Sequence, residues 1–201
     1  MSLLGRRAPD PDADLLARFR AGEEQAFVDL VARHHTALLR LAATFVSSSA
    51  IAEEVAQDTW LAALRGIDSF AGRSTFRTWL FAILANRART TGVREKRTVP
   101  FEPAVDPSRF DVTGIWSAPP LDWAAAAEER LDAESLATSL QSALDGLPPR
   151  QRAVVLLRDV DGLTSEEVCD VLDISDANQR VLLHRGRSQL RGALETEFGT
   201  I

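Results

Sequence analysis

The sequence predicts an all-α protein with two helical domains joined by an acidic linker rich in proline. Apolar residues recur at steps of three and four along almost the whole chain, and no run alternates as a strand would. A cluster of prolines between residues 100 and 120 interrupts this pattern. The length of 201 residues suits one or two domains. We therefore predict a helical domain over 10–98, an extended linker over 99–127 and a second helical domain over 128–201.

In the first domain, one long amphipathic helix is followed by a run of serines that ends it and can cap the next helix. That next helix carries an apolar stripe, a glycine-bounded turn follows over 66–72, and a further helix runs toward a basic segment. The apolar positions that predict these three helices are, in order, Phe27, Leu30, Val31, Leu38, Leu41, Ala42 and Phe45, then Ile51, Val55, Leu61 and Leu64, then Phe76, Trp79, Leu80, Ile83 and Leu84.

The second domain carries the pattern of a helix-turn-helix. Pro148 and Pro149 open a helix, and Thr164 stands three residues before Glu167, as in a capping box at the start of a short helix. A turn at 174–176 leads into a last helix from Ala177 to about Phe198. Two helices joined by a tight turn, the second one basic, are typical of a helix-turn-helix that places its second helix in the major groove of DNA.

Composition excludes several classes of protein. Hydrophobic residues make up 45% and charged residues 26% of the chain, which is ordinary for a globular protein. The single cysteine excludes a disulfide framework and a cysteine-rich zinc site. No run approaches the roughly 18 apolar residues of a membrane span, and residues 1–14 lack the apolar core of a secretory signal. We expect a cytoplasmic protein that needs no metal and no cofactor.

The net charge of −6 hides an uneven distribution along the chain. Residues 10–64 carry nine acids and four arginines, and residues 102–145 carry nine acids and two arginines. Between and after them, residues 85–97 hold five basic residues and one acid, and residues 180–191 hold four arginines and no acid. Two short basic blocks in an acidic chain indicate two separate contacts with a polyanion.

The start of the last helix offers candidate base-reading residues. Arg180 and His184 are four residues apart and share a face, and Arg187 lies one turn further on. Ser175, Asp176, Asn178 and Gln179 cluster at the start of this helix, where asparagine or glutamine can pair with adenine. Leu183, Gly186, Leu190 and Leu194 fall on the opposite, packing face. The alternative is an ordinary amphipathic helix whose arginines are only solvated.

An aromatic cluster of Phe70, Phe76, Trp79 and Phe81 precedes the first basic block. Aromatic rings beside cations are what single-stranded nucleic acid requires, because unstacked bases need a flat partner and phosphates need positive charge. Asn86 follows Trp79 by two helical turns, so the two can bracket one base. Phe76 and Trp79 fit a place in the hydrophobic core equally well.

Glu53, Glu54, Gln57 and Asp58 form an acidic helix face. Such a face is solvated or docks on a protein; a metal site or acid–base catalysis is the weaker alternative, because no histidine lies near in sequence and Glu53 and Glu54 point apart. His34, His35 and Cys169 have no ligand at a suitable spacing, so we interpret them as structural.

Two stretches together resemble a known family. The first runs Ala52-Glu-Glu-Val-Ala-Gln-Asp-Thr-Trp-Leu61 and then Phe70-Ala-Gly-Arg-Ser-Thr-Phe-Arg-Thr-Trp-Leu80. The second begins Leu147-Pro-Pro-Arg-Gln-Arg-Ala-Val154, passes through Glu166-Glu-Val168 and ends Leu183-His-Arg-Gly-Arg187. They resemble the second and fourth domains of extracytoplasmic-function (ECF) sigma factors of the sigma-70 family, initiation subunits of bacterial RNA polymerase that perform no chemistry themselves.

The resemblance implies roles for the first domain. The acidic face matches the surface that docks on the clamp helices of the largest polymerase subunit. Phe70, Trp79 and Asn86 match positions around a flipped base of the −10 element, and Arg73 and Ser74 lie in the loop that borders this pocket. The positions that the resemblance assigns to the DNA backbone are Arg87, Arg89, Arg94, Lys96 and Arg97.

For the second domain, the resemblance implies that the last helix reads the −35 element through Arg180, His184, Arg185 and Arg187, beside the polar residues Ser175, Asn178 and Gln179 at its start. The family commonly has an apolar residue at the position of Gln179 and polar or basic residues at those of Val181 and Leu182. The linker would thread toward the RNA exit path, and its Trp116 and Trp123 are not general family features.

The resemblance thus implies an alternative sigma factor whose partners are core RNA polymerase, promoter DNA and an anti-sigma factor. The main rival is a stand-alone helix-turn-helix regulator that binds duplex DNA without polymerase. The acidic helix and the aromatic-basic helix argue against that rival, since it needs neither polymerase docking nor base flipping. An enzyme ranks third, because no nucleophile–base pair, phosphate-binding loop or cluster of metal ligands is visible.

Overall fold

The computed structural model describes residues 10–95 and 133–198, and within these ranges the chain forms helices and no strand, in line with the prediction. In chain order the helices are α1 (Ala13–Arg20), α2 (Glu24–Ala42), α3 (Ser49–Gly66), α4 (Phe76–Glu95), α5 (Ala133–Asp145), α6 (Pro149–Val155), α7 (Ser165–Leu172) and α8 (Asp176–Phe198). A short 3₁₀ turn, Ile67–Ser69, follows α3, and a π-helical turn, Leu156–Val160, continues α6.

The described residues form two compact units. One contains residues 10–95 and 163–173, and the other contains residues 133–162 and 174–198. The whole predicted linker, including Trp116 and Trp123, lies outside the described residues, as do Lys96 and Arg97. The division of the chain at 10–98, 99–127 and 128–201 stays a prediction.

Helix α4 is the centre of the first unit, where it packs against α2, α3 and α7. Its apolar residues are buried on more than one side, so the helix does not have a single apolar stripe. The buried side chains are Phe76, Leu80, Phe81, Leu84, Ala85 and Ala88. Gly92 continues this packing near the end of α4, because a Cβ atom there would lie only 2.1 Å from the carbonyl oxygen of Phe45.

Side-chain caps fix where several helices begin. The hydroxyl of Ser48 accepts a hydrogen bond from the backbone of Ile51 at 3.3 Å, which confirms the predicted serine cap of α3. The predicted capping box at the start of α7 is also confirmed, with reciprocal bonds between Thr164 and Glu167. Helix α4 has a local cap and a distant one: the Thr78 amide donates to the Thr75 hydroxyl at 3.2 Å, and the Phe76 amide donates to Asp10 at 2.7 Å.

A buried carboxylate joins the start of the described chain to α2. Asp12 is 1% exposed, accepts a hydrogen bond from Arg33 at 2.6 Å, and lies 2.8 Å from the ring of His34. This contact gives His34 the structural role that its lack of a ligand partner suggests. Burial raises the pKa of Asp12, but the hydrogen bonds and charges of His34 and Arg33 together outweigh burial and hold this pKa below its ordinary value.

In the second unit, α8 packs against α5 and α6. Leu144, Leu147, Val155 and Leu156 form a buried cluster, and Leu183 and Leu190 of α8 pack against it. Gly186 makes the approach of α8 to α6 possible, because a Cβ atom there would lie 2.6 Å from Val155 Cγ2. The predicted packing face of the last helix is therefore confirmed.

We expect Asp12→Asn to destabilise the fold by about 1–3 kcal/mol at pH 7, because a charged, buried hydrogen-bond acceptor is lost. The folded-state pKa of Asp12 is depressed, so its ionised form stabilises the folded state. This stabilisation is fully present above the unfolded-state pKa of about 4 and is lost as the pH falls through the folded-state value. In urea denaturation from pH 7 to pH 3, the difference in free energy of unfolding between wild type and Asp12→Asn should therefore decrease as the pH falls.

The matched control is Asp14→Asn, since Asp14 is an exposed carboxylate on the same segment, 3.7 Å from Arg18. This change should shift the free energy of unfolding by less than about 1 kcal/mol at any pH. An Asp12→Asn deficit that stays constant from pH 7 to pH 3 would contradict the assignment.

Candidate nucleic-acid and partner interfaces

The acidic face of α3 is a continuous exposed surface. Glu53, Glu54, Gln57 and Asp58 are all exposed. The opposite side of the helix is buried through Val55, Thr59 and Trp60, among others. The buried side fixes the direction of the helix, so the four polar side chains face outward together, as the sequence predicts.

Two leucines extend this face, contrary to the sequence-based prediction. Leu61 and Leu64 were expected in the core because they fit the apolar period, but they are 48% and 37% exposed. Leu61 follows Gln57 by four residues and Asp58 by three, so it continues the same strip of surface. We call the residues Glu53, Glu54, Gln57, Asp58, Leu61 and Leu64 the α3 surface. Exposed leucines next to carboxylates are more typical of a docking surface than of a purely solvated one.

The predicted aromatic cluster divides into two parts. Phe76 and Phe81 are 1% and 0% exposed, so they belong to the core and cannot stack on a base. Phe70 and Trp79 are half-buried, with ring centroids 5.1 Å apart. The aromatic surface available to a base is therefore the pair Phe70 and Trp79.

Arg20 supports this pair, a role that sequence reasoning missed. Its guanidinium donates hydrogen bonds of 2.9 Å to the carbonyl oxygens of Ile67 and Phe70. These contacts hold the turn that carries Phe70. No local sequence signal could reveal them, because the partners lie 47 and 50 positions away along the chain.

Asn86 lies exposed on α4, two turns beyond Trp79, as the spacing predicts. The Arg89 guanidinium donates to the side-chain oxygen of Asn86 at 2.7 Å and to the carbonyl of Leu172 at 2.8 Å. Arg87 lies 3.4 Å from Asp58 and so links α4 to the α3 surface. Arg73 is exposed and Ser74 half-buried in the loop before α4, and Arg94 lies in its last turn.

Helix α7 packs on the same helix α4. The Thr78 hydroxyl donates to the Glu167 carboxylate at 2.9 Å, while Arg89 reaches the last carbonyl of α7. Val168, Val171 and Leu172 of α7 are buried. Sequence reasoning predicted α7 correctly as a short capped helix, but it gave no indication of its packing against α4.

The start of α8 corrects one predicted DNA contact. Gln179 is 1% exposed, and neither its amide nitrogen nor its amide oxygen has a hydrogen-bond partner among the described residues. The prediction that Gln179 reaches a base edge is therefore wrong, because its side chain points into the packed side of the helix. The burial matches the family pattern, in which this position is commonly apolar.

The other predicted residues of α8 lie at the surface or are half-buried. Arg180 and Ser175 are exposed, and Asn178, His184 and Arg185 are half-buried. The Ser175 hydroxyl accepts a hydrogen bond from the backbone of Asn178 at 3.3 Å, so it also caps the helix.

Two arginines of α8 are held by carboxylates. Arg187 forms a bidentate pair with Asp159, with distances of 3.0 and 2.5 Å, and these bonds raise the pKa of Arg187. Arg180 pairs with Asp176 one turn earlier on the same helix.

Within residues 10–95 and 133–198, no three histidine, cysteine, aspartate or glutamate side chains lie together in an arrangement that could hold a metal ion. None of the helices there combines the length and the apolar character needed to cross a membrane.

Comparison with protein families gives two matches, one in each half of the chain. Residues 30–98 match Sigma-70 region 2, and residues 137–190 match Sigma-70, region 4. The first range contains α3 and α4, and the second contains α6, α7 and the start of α8. The two matches define the class as a sigma-70-type protein.

Relatives with similar lengths narrow the class. RNA polymerase sigma factor CarQ of Myxococcus xanthus is 35% identical over 185 residues, which cover 90% of this chain and 98% of CarQ. The ECF RNA polymerase sigma-E factor of Escherichia coli (strain K12) is 28% identical over 179 residues, which cover 89% of this chain and 92% of that protein. The chain belongs to the ECF group of the sigma-70 family of RNA polymerase sigma factors. This membership favours the sigma factor over the stand-alone regulator.

Solved structures show the same fold. CnrH, solved in complex with the cytosolic domain of CnrY, has a TM-score of 0.60 and 26% identity, covering 94% of this chain and 99% of CnrH. The sigma factor RpoE of Bartonella quintana, solved with the anti-sigma factor NepR, has a TM-score of 0.55 and 24% identity, covering 85% and 98% of the two chains.

We expect Gln179→Leu to stabilise the protein by about 1–3 kcal/mol, because it replaces a buried amide that lacks partners with an apolar side chain of similar size. Selectivity for the −35 element should not change. Urea denaturation and transcription from a set of −35 variants measure the two quantities.

The matched control is Gln189→Leu, since Gln189 is exposed on the same helix. Its effect on the free energy of unfolding should stay within about 0.5 kcal/mol. A Gln179→Leu protein that is less stable, or that reads a different −35 sequence, would show that the amide has a partner or a base to contact.

Proposed function

We propose that this sigma factor docks on core RNA polymerase through the α3 surface, opens the −10 element at the Phe70–Trp79 pair and Asn86, and reads the −35 element with α8. It would act in the cytoplasm, where core polymerase and the chromosome are found. The observation that carries this proposal is the α3 surface itself: four polar side chains and two leucines exposed together on a helix whose other side is buried.

The chemistry of the α3 surface supports a protein partner. An interface commonly combines an apolar centre with a polar rim, and complementary charge sets its register and speeds association. Leu61 and Leu64 supply the apolar part, while Glu53 and Glu54 supply negative charge for a basic partner surface.

The chemistry of α4 supports capture of a flipped base. Phe70 and Trp79 offer half-buried rings against which a base can pack, and Asn86 offers an amide that can pair with a base edge. Arg87 and Arg89 already lie beside Asn86. Arg87 is held by the Asp58 carboxylate, and Arg89 by the Asn86 side chain and two backbone carbonyls; a DNA phosphate can replace the two side-chain acceptors. We propose the same backbone-contact role for Arg94, Lys96 and Arg97.

For α8 we retain Ser175, Asn178, Arg180, His184, Arg185 and Arg187 as contacts to the −35 element. Of these, Arg180 and His184 lie toward the outer side of the helix, where base edges are within reach. Arg187 is held by Asp159, so it suits a phosphate better than a base.

We also propose an anti-sigma partner. CnrH, whose fold this chain shares over 94% of its length, was solved bound to the cytosolic domain of CnrY. A protein that covers the α3 surface or α8 would prevent polymerase docking or promoter reading, so it would keep the sigma factor inactive.

The function is tested by transcription with bacterial core polymerase on a promoter library, using wild type and Glu54→Lys. Wild type should add new start sites. Glu54→Lys should bind core polymerase at least about tenfold more weakly, because reversing a charge in the interface places like charges together. Competition binding to core polymerase measures this loss directly.

The control is Glu24→Lys, which reverses an exposed carboxylate on α2 away from the α3 surface. It should bind like wild type. Equal binding of core polymerase by Glu54→Lys and wild type would show that the α3 surface is not the docking site. The absence of new start sites with wild type would contradict the proposed function.

We expect Asn86→Ala to lower open-complex formation by about tenfold, because one base loses its hydrogen-bonding partner. Binding to core polymerase should not change, since Asn86 lies outside the α3 surface. Permanganate reactivity of unpaired thymines in the −10 element reports opening, and competition binding reports docking.

Thr90→Ala is the control, an exposed polar residue one turn further along α4. It should open promoters like wild type. Unchanged opening by Asn86→Ala on every promoter would show that Asn86 does not hold the flipped base.

A further inference from the structure

The packed side of α8 determines which of its residues can face DNA. Gln179 and Leu182 are 1% and 9% exposed near the start of the helix, and Leu194 is 6% exposed further along. Gly186 lies against Val155, where even a Cβ atom would be too close. These four positions define the inward direction of α8.

The opposite side of α8 follows from 3.6 residues per turn. Over residues 176–190, those that lie farthest from the inward direction are Ala177, Val181, His184 and Ser188. Ala177 and Ser188 are exposed, and Val181 and His184 are half-buried. The outermost residues in the first turns of α8 are therefore Ala177 and Val181, and both are apolar.

The nearby charged residues lie beside this apolar strip, of which Ala177 is exposed and Val181 is half-buried. Arg180 lies to one side of it and pairs with Asp176, and Arg187 pairs with Asp159. Asn178 and Arg185 lie on the other side of α8. A base edge in front of the first turns of α8 would meet a methyl and an isopropyl group before it met a charge.

We propose that Ala177 and Val181 read thymine methyl groups in the −35 element, which makes them specificity-determining residues; this rests on the proposed function, in which α8 enters the major groove. In the major groove, the only apolar group that a base edge presents is the C5 methyl of thymine. An apolar pair at the tip of the recognition helix therefore selects thymine over cytosine, which has no methyl group at this position.

The sequence alone favoured a different assignment. It placed Gln179 among the base-reading residues, which would predict adenine as the preferred base. The burial of Gln179 removes that contact from the base-reading surface. Apolar contact by Ala177 and Val181 then adds a preference for thymine to the hydrogen bonds that Asn178, Arg180 and His184 can make.

The test compares −35 elements that contain thymidine with elements that contain deoxyuridine at the same position. The two bases form the same hydrogen bonds and differ only in the methyl group. With wild-type holoenzyme, deoxyuridine at the thymine that α8 contacts should lower promoter binding about three- to fivefold, the factor expected from one buried methyl group. With Val181→Ala, the ratio between the two templates should fall toward one.

The matched control is Val160→Ala, since Val160 is 53% exposed and lies outside α8. This variant should keep the wild-type preference for thymidine. A −35 element without thymine on either strand, equal binding of both templates by wild type, or an unchanged ratio with Val181→Ala would each overturn the inference while initiation continues. Absence of initiation on every template with wild type would instead overturn the proposed function.

Discussion

Burial of α4 on several sides is the constraint on which the first unit depends. Phe76, Leu80, Phe81 and Leu84 are each 1% exposed or less, so the helix has only a narrow strip left for contact with other molecules. Phe70 and Trp79 border that strip, and Asn86 lies on it. An ordinary amphipathic helix would present a wide polar face to solvent. Helix α4 instead presents only a few side chains, and the packed core on its other sides holds them in place.

The predictions from sequence that succeeded depend on residues close together in the chain. The start of α3 at Ser48 and the capping box of α7 were correctly predicted, because a cap depends on residues within one turn of the helix end. The four polar residues of the α3 surface were also placed correctly, because helical period alone brings them onto one side.

The errors concern burial, which depends on what lies opposite a residue and therefore on distant parts of the chain. Leu61 fits the apolar period but is 48% exposed, because no described helix covers that side of α3. Phe81 lies off the predicted stripe but is fully buried, because α4 packs against several helices and not one. Gln179 is a polar residue in an apolar position, which composition cannot reveal. Each case needs tertiary contacts that periodicity does not encode.

The ion pairs of the basic segments bear on how the chain meets DNA. The described ion pairs of these segments are those of Arg87 with Asp58, Arg180 with Asp176, Arg187 with Asp159 and Arg191 with Glu195. Pairs at this exposure contribute about 1 kcal/mol or less, so a phosphate can displace the carboxylate. The displaced carboxylate stays nearby and repels the phosphate, which lowers the free energy gained by binding DNA. With a net charge of −6, we expect the isolated chain to have little affinity for duplex DNA. We infer that binding to polymerase supplies most of the affinity, and that the chain contributes the choice of sequence.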